Sequence, residues 1–432
     1  MILTFKETKM YRFKYLVTGF FLLVQWYVRS TQLLVPMDDS QTNHLKAYGV
    51  AYWTLENGVT LEWLLNYKGG SFLFPHLQNI ERELKIRGIR YQVLTDGQVA
   101  SIKAEIANPE VNMEVIQLEK APKIAVYTPP NKAPWDDAVT LVLEYAEIKY
   151  DKIYDSAIVM GTLPKYDWLH LHHEDFTGQY GKFYSSASFQ PWYKEQVKVT
   201  EDNARLFGFK KASQFKLAVA KNIKNFVMGG GFLFTMCSGT DSYDIALSAE
   251  GVDICDVIYD GDGADPGAQQ KLDFGKTLAF QNYTLNRDPY FYEYSNLDAS
   301  DLRNNYTISE SEDYFTLFEY SAKWDVVPTM LTQCHTNTVK GFMGQSTDFR
   351  KDFIKPNVLV MGETKSIGTA RYLHGELGQG MWTFYGGHDP EDYQHFVGDP
   401  PTDLNLHPNS AGYRLILNNI LFPAAKKKKR KT

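Results

Sequence analysis

Cysteine is almost missing from this chain: three residues among 432. That is too few for a disulfide scaffold, and their spacing makes no zinc-ribbon pattern. A long apolar run is missing too. Residues 15–28 form about fourteen mostly apolar positions, short of a comfortable membrane span, and nothing later reads as a transmembrane helix. Basic charge is scarce outside the two ends. Net charge is −6, but residues 426–431 are all Lys or Arg, and without them 39 basic residues face 51 acidic ones. Without residues 1–31 as well the body stands at 34 against 50. An acidic body excludes nucleic acid as the main partner. Apolar residues at 44% and charged residues at 22% exclude wholesale disorder. Aromatic residues are plentiful, with 28 Tyr, 26 Phe and 8 Trp, enough to fill a core and still line a pocket.

The N-terminus reads as an export signal. Lys6, Lys9, Arg12 and Lys14 precede the apolar run, and Arg29-Ser-Thr-Gln ends it. A cleaved signal peptide, an uncleaved anchor and a mis-assigned start all fit residues 1–31. The expected location is exported, periplasmic or membrane-anchored. The basic tail 426–432 reads as solvated, with an anionic membrane surface as a further contact.

The length allows two or three domains. Residues 32–37 read as a strand, 44–55 as a helix and 59–65 as a second strand. Residues 123–127, 135–148 and 152 onward repeat that order. Strand–loop–helix–strand opens a parallel sheet. The expected fold is therefore α/β, with two flavodoxin-like parallel-sheet domains. The first covers residues 32–118. The second covers 119–255 and 356–425, interrupted by an aromatic-rich insertion at 256–355. Residues 283–324 hold eleven aromatics in 42 positions, which suits either a cap over the sheet edge or a small packed subdomain.

Three stretches could carry chemistry. In Phe234-Thr-Met-Cys-Ser-Gly-Thr a strand runs into Cys237 and a helix begins at once, as in a nucleophile elbow. Ser238 and Gly239 are small enough for that turn, and amides at the helix start could stabilise an oxyanion. A buried structural cysteine is the alternative. In Phe384-Tyr-Gly-Gly-His-Asp-Pro-Glu, His388 projects where a strand ends, and Asp389, Glu391 or Asp392 could orient its ring. In Leu169-His-Leu-His-His-Glu-Asp, His170 and His172 share a strand face. His172, His173 and Glu174 could line the pocket or, as a weak candidate set, hold a transition metal. No cofactor is expected. Asp260-Gly-Asp-Gly-Ala-Asp-Pro-Gly reads as an acidic turn, and Cys255 could pair with Cys334.

The second domain resembles the class I glutamine amidotransferase-like fold and its trehalose-utilisation-type relatives, over residues 122–255 and 355–422. Cys237 stands at that family's nucleophile position, and Tyr385-Gly-Gly-His-Asp-Pro-Glu is similar to its histidine motif. The family's glycine two residues before the cysteine is Thr235 here. Its acid two residues after the histidine is Pro390, with Glu391 one place later. The whole chain also resembles a bacterial family labelled asparagine synthetase B, through Val35-Pro-Met-Asp, Asn43-His-Leu-Lys-Ala-Tyr-Gly and Trp63-Leu-Leu-Asn-Tyr-Lys-Gly-Gly-Ser-Phe. That label implies glutamine hydrolysis and ATP-dependent amidation of aspartate. Asparagine synthetases that use glutamine place a catalytic cysteine where this chain has Ile2, and their pyrophosphate loop is similar to Ser238-Gly-Thr-Asp-Ser242 with a glycine missing. The resemblances imply a cysteine-dependent amide hydrolase, with Cys237 as nucleophile, His388 as base and Glu391 orienting it. A non-catalytic carbohydrate or cell-wall binding module and a glutamine-hydrolysing asparagine synthetase are the alternatives. The expected partner is a small-molecule, peptide or glycan substrate.

Overall fold

The computed structural model describes residues 31–129, 136–302, 308–394 and 396–426. The expected export signal at residues 1–31, apart from Thr31, the helix start at Trp135 and the tail from residue 427 lie outside the described residues. Among the described residues no helix is long and apolar enough to cross a membrane.

The class is α/β, built on two sheets. The first holds β1 (Thr31–Val35), β2 (Leu61–Leu65), β3 (Ser71–Pro75), β4 (Gln92–Thr95) and β5 (Glu114–Leu118), in the order β4-β1-β3-β2-β5. Every neighbouring pair in it is antiparallel. This corrects the expectation of a flavodoxin-like parallel sheet. The predicted strand, helix and strand are present, with helix α1 (His44–Glu56) capped by the Asn43 side chain on the Lys46 amide. However, β3 slides between β1 and β2 and splits the unit. The tight connection before it holds Asn66, Lys68, Gly69 and Gly70 at positive φ, so β3 folds straight back on β2. Helices α2 (Gln78–Ile86) and α3 (Asp96–Ala107) complete this half.

The second sheet has nine strands. They are β6 (Ile124–Tyr127), β7 (Asp151–Ile153), β8 (Trp168–Leu171), β9 (Phe232–Met236), β10 (Tyr314–Leu317), β11 (Thr338–Lys340), β12 (Leu359–Thr364), β13 (Thr369–Leu377) and β14 (Gly380–Tyr385). Their order is β11-β10-β12-β13-β14-β9-β8-β6-β7. The run β14-β9-β8-β6-β7 is parallel. The run from β11 to β14 is antiparallel, so the sheet is mixed. Strands β10 and β11 come from the 256–355 segment, which therefore extends the sheet as well as covering it. The principal helices here are α4 (Ala138–Tyr145), α5 (Pro191–Leu206), α6 (Ala212–Met228), α7 (Gly239–Ser248) and α8 (Ala411–Leu421).

One apolar core runs through both halves, from Leu33 and Trp63 of the first sheet to Phe234 and Tyr385 of the second. Helix α8 packs against α1 and α4. Its buried Arg414 donates to the Met37 carbonyl at 2.9 Å and to the Gly69 carbonyl, and its Asn418 donates to the Leu331 and Gln333 carbonyls at 3.0 and 2.8 Å. Buried donors of this kind must find acceptors, and those of Arg414 lie across the boundary, in the half built on the first sheet. The three cysteines are free, which corrects the suggested pairing of Cys255 with Cys334. Cys255 lies in a small cluster with Tyr180 and Tyr259, whereas Cys334 packs against the core shared by the two sheets.

Candidate functional site

Strands β8, β9 and β14 run parallel, so their C-terminal ends open on one edge of the sheet. In register, Tyr385 faces Met236, and Leu171 faces Thr235. The residues that follow these ends are His172 and His173, Cys237, and the Gly386-Gly387-His388 turn. The three stretches singled out in the sequence therefore meet.

Cys237 sits at φ 48°, a left-handed conformation that a non-glycine residue adopts only under strain. The turn is crowded as an elbow requires: a Cβ at Gly239 would lie 2.4 Å from the His172 carbonyl oxygen. The Gly239 amide donates to that carbonyl at 2.6 Å, so of the two expected oxyanion residues only Ser238 aims its amide at the thiol. The thiol is 3% exposed and accepts from the Gln345 amide at 3.3 Å. Burial pushes it up to about 11, and the amides of Gln345, Ser346 and Ser238 offset only part of that rise.

The cover over the thiol comes from the aromatic-rich segment. The Gln345 side chain donates to the Gly181 and Tyr292 carbonyls, both at 2.9 Å. Tyr292 meets Phe183, and Tyr290 meets Tyr184, at ring centroids of 6.3 and 6.1 Å. Tyr290 and Phe291 remain exposed. Gln345 and Ser346 escaped the sequence reading because nothing local marks them. Their place at Cys237 follows from the path of the 343–347 segment, where Gly344 lets the backbone pass close to the His388 amide.

The histidines form one group. His172 lies tilted against His388 with ring centroids 4.4 Å apart, and His173 lies 5.0 Å from His172 and 5.9 Å from His388. Beneath them, Asp137 Oδ2 meets His170 Nε2 at 3.2 Å and His172 Nδ1 at 3.4 Å. Its Oδ1 caps α4 by accepting from the Val139 and Thr140 amides at 2.8 and 3.0 Å. Burial alone would raise the Asp137 carboxyl, but the two imidazoles outweigh it and hold it well below the usual range. Burial wins on His170, which is lowered, while Asp137 outweighs burial on His172, which is raised. The sequence reading missed Asp137. An aspartate before an apolar helix is a cap signal, but nothing local shows that its second oxygen reaches β8.

Two of the three acids expected beside His388, Glu391 and Asp389, hold other partners. Glu391, the expected orienting residue, pairs with His407 Nδ1 at 3.2 Å. Asp389 accepts from Tyr413 and Thr402 at 2.8 Å each, and burial raises its carboxyl. Asp137 does reach the histidine group, through His172. Glu174 accepts from the His172 amide at 2.9 Å, and burial raises it to about 7. In the acidic turn near residue 260, Lys211 pairs with Asp253, Asp260 and Asp262.

Two buried aspartates on α7 predict a pH dependence. Burial raises Asp241, which accepts from Ser346 Oγ at 2.8 Å, to about 7. Burial likewise raises Asp244 to about 6, although three amides donate to it. The native state therefore holds protons that the unfolded chain releases near pH 4. That contribution is full below about pH 4 and is lost as the pH rises through 7. Thermal unfolding should show roughly 1–3 kcal/mol less stability at pH 8 than at pH 5.5. Asp241→Asn, which keeps the acceptor, should flatten the slope. An unchanged slope in that variant rejects the assignment.

No family model matches the chain, and no curated protein matches it. Among solved structures it is similar to two cytoplasmic proteins of Salmonella typhimurium. STM3548 has 9% identity, 71% of this chain and 100% of that one covered, and a TM-score of 0.34. STM1381 has 11% identity, 70% and 100% covered, and a TM-score of 0.36. A GH42 beta-galactosidase, Gan42B, has 12% identity, 62% and 28% covered, and a TM-score of 0.24. Likeness at this level carries no functional reading.

Proposed function

We propose that the protein is an amidotransferase-like cysteine hydrolase that cleaves an amide bond in a small molecule, peptide or glycan fragment. The strained φ of Cys237 at the end of β9 carries this reading, because such strain persists where a side chain must be presented at a turn. Cys237 Sγ attacks the carbonyl carbon, its proton passing to His388. The C–N bond breaks as His388 protonates the amine, leaving a thioester on Cys237. Water then hydrolyses the thioester and restores the thiol. The Ser238 amide supports the oxyanion. Asp137 steadies His172, whose ring packs against that of His388.

The site is closed over a neutral thiol, so activity requires the 343–347 segment to withdraw. Gln345→Ala removes the two bonds that clip this segment to Gly181 and Tyr292. It should raise the alkylation rate of Cys237 at neutral pH at least tenfold, and His388→Ala in the same background should cancel much of the gain. A Gln345→Ala thiol that stays inert, or that reacts independently of His388, rejects the hydrolase. The binding-module reading would then stand. It is favoured by the buried thiol and by the exposed Tyr290 and Phe291, against which a sugar ring can stack. The third reading, a glutamine-hydrolysing asparagine synthetase, draws no support from Ser238-Gly-Thr-Asp-Ser242. Its amides at Gly239, Thr240 and Ser242 are taken by the carbonyls of His172, Cys237 and Ser238.

A further inference from the structure

We propose that His172, His173 and His388 form a binding site for a divalent transition ion of the zinc class, held in orientation by Asp137. The inference deepens the proposed hydrolase by adding a regulator to the same rim, because an ion on His388 removes the base that would take the Cys237 proton.

One ligand atom from each of the three histidines lies within 4.8 Å of the others. A point therefore exists no more than about 2.8 Å from all three, and roughly 0.7 Å of closure per ring gives the 2.0–2.1 Å of a zinc–imidazole bond. The rings come from two different strand ends, so the convergence is not an accident of local sequence. His172 supplies the second observation. It is fully buried, its Nδ1 faces Asp137 Oδ2 at an ion-pair distance of 3.4 Å, and neither ring nitrogen has a hydrogen-bond partner among the described residues. A carboxylate on one ring nitrogen fixes the tautomer and leaves the lone pair of the other for a metal, which is the usual outer arrangement of a histidine ligand. Asp137 is itself fixed, because its other oxygen caps α4. Imidazole donors suit zinc, copper, iron and nickel and not calcium or magnesium, which take oxygen. Glu174, part of the triad suggested by the sequence, spends Oε2 on the His172 amide, and His388 takes its place.

The experiment is a titration of the full chain, stripped with a chelator, with Zn²⁺ by calorimetry and with Co²⁺ by visible absorption. One equivalent should bind, and the cobalt complex should absorb with the intensity of a four-coordinate ion. His172→Ala should weaken binding at least 100-fold, and Asp137→Asn, which keeps the helix-cap oxygen, by about 10–100-fold. Circular dichroism of each variant separates lost folding from lost binding. Cys237→Ser should bind zinc as the parent does, which keeps this outcome independent of the hydrolase reading. Zinc should also slow the alkylation of Cys237 in Gln345→Ala. Absence of binding up to about 1 mM, or undiminished binding by a folded His172→Ala, overturns the site. In that event a His388-dependent thiol would still leave the hydrolase standing.

Discussion

Iodoacetamide should alkylate Cys237 roughly 300-fold more slowly at pH 7.5 than it alkylates an ordinary thiol of pKa about 8.5, on thiolate fraction alone. The rate should climb steeply with pH toward about 11. The cause is competition between two effects at one atom. Amides of Gln345, Ser346 and Ser238 point at the sulfur and favour its charged form. Removal from water disfavours that form more strongly, and with the thiol 3% exposed it wins. Cys255 is buried as well, and its thiol is pushed well above the usual value, so the signal must be assigned with Cys237→Ser as the reference. A Cys237 that reacts at the rate of a free thiol at pH 7.5 would mean that the cover is open in solution.

The largest expected loss of stability from a single substitution at the site belongs to Asp137→Ala. Three duties end at once: the cap on the Val139 and Thr140 amides, the contact to His170 and the contact to His172. A lost cap costs about 1 kcal/mol. Two buried imidazoles deprived of their acceptor each cost about 1–3 kcal/mol. Allowing for overlap, the variant should be destabilised by about 3–5 kcal/mol, with a fall in Tm of roughly 5–10 °C. Asp137→Asn keeps the cap oxygen and should lose about half as much. Equal losses in the two variants would show that the charge, and not the cap, holds this corner. A Tm within 1 °C of the parent for Asp137→Ala would reject the whole account.

Much of the local structure is legible in the chain. The run of apolar residues into Cys237, followed at once by Ser238 and Gly239, marks a strand that must turn sharply. The structure places β9 at Phe232–Met236 and α7 at Gly239–Ser248. His388 after two glycines likewise reads as a strand end, and β14 stops at Tyr385. These features depend on period, side-chain size and backbone freedom, which are properties of neighbouring residues. The first sheet shows where such reasoning stops. Strand, helix and strand were visible from residue 32 to residue 65, but the insertion of β3 between them depends on pairing with β1, whose partners lie some forty positions away.

The α/β class, the sharp turn at Cys237 and the strand ends that carry the histidines are each encoded by residues adjacent in the chain. Packing between distant segments made the first sheet antiparallel and gave Glu391 to His407. The same packing brought Asp137 beneath His170 and His172, and Gln345 over the thiol. Those outcomes rest on strand order, burial and the pairing of polar groups across elements. A carboxylate removed from water takes the partner that the packing brings to it, whichever residue stands next to it in sequence.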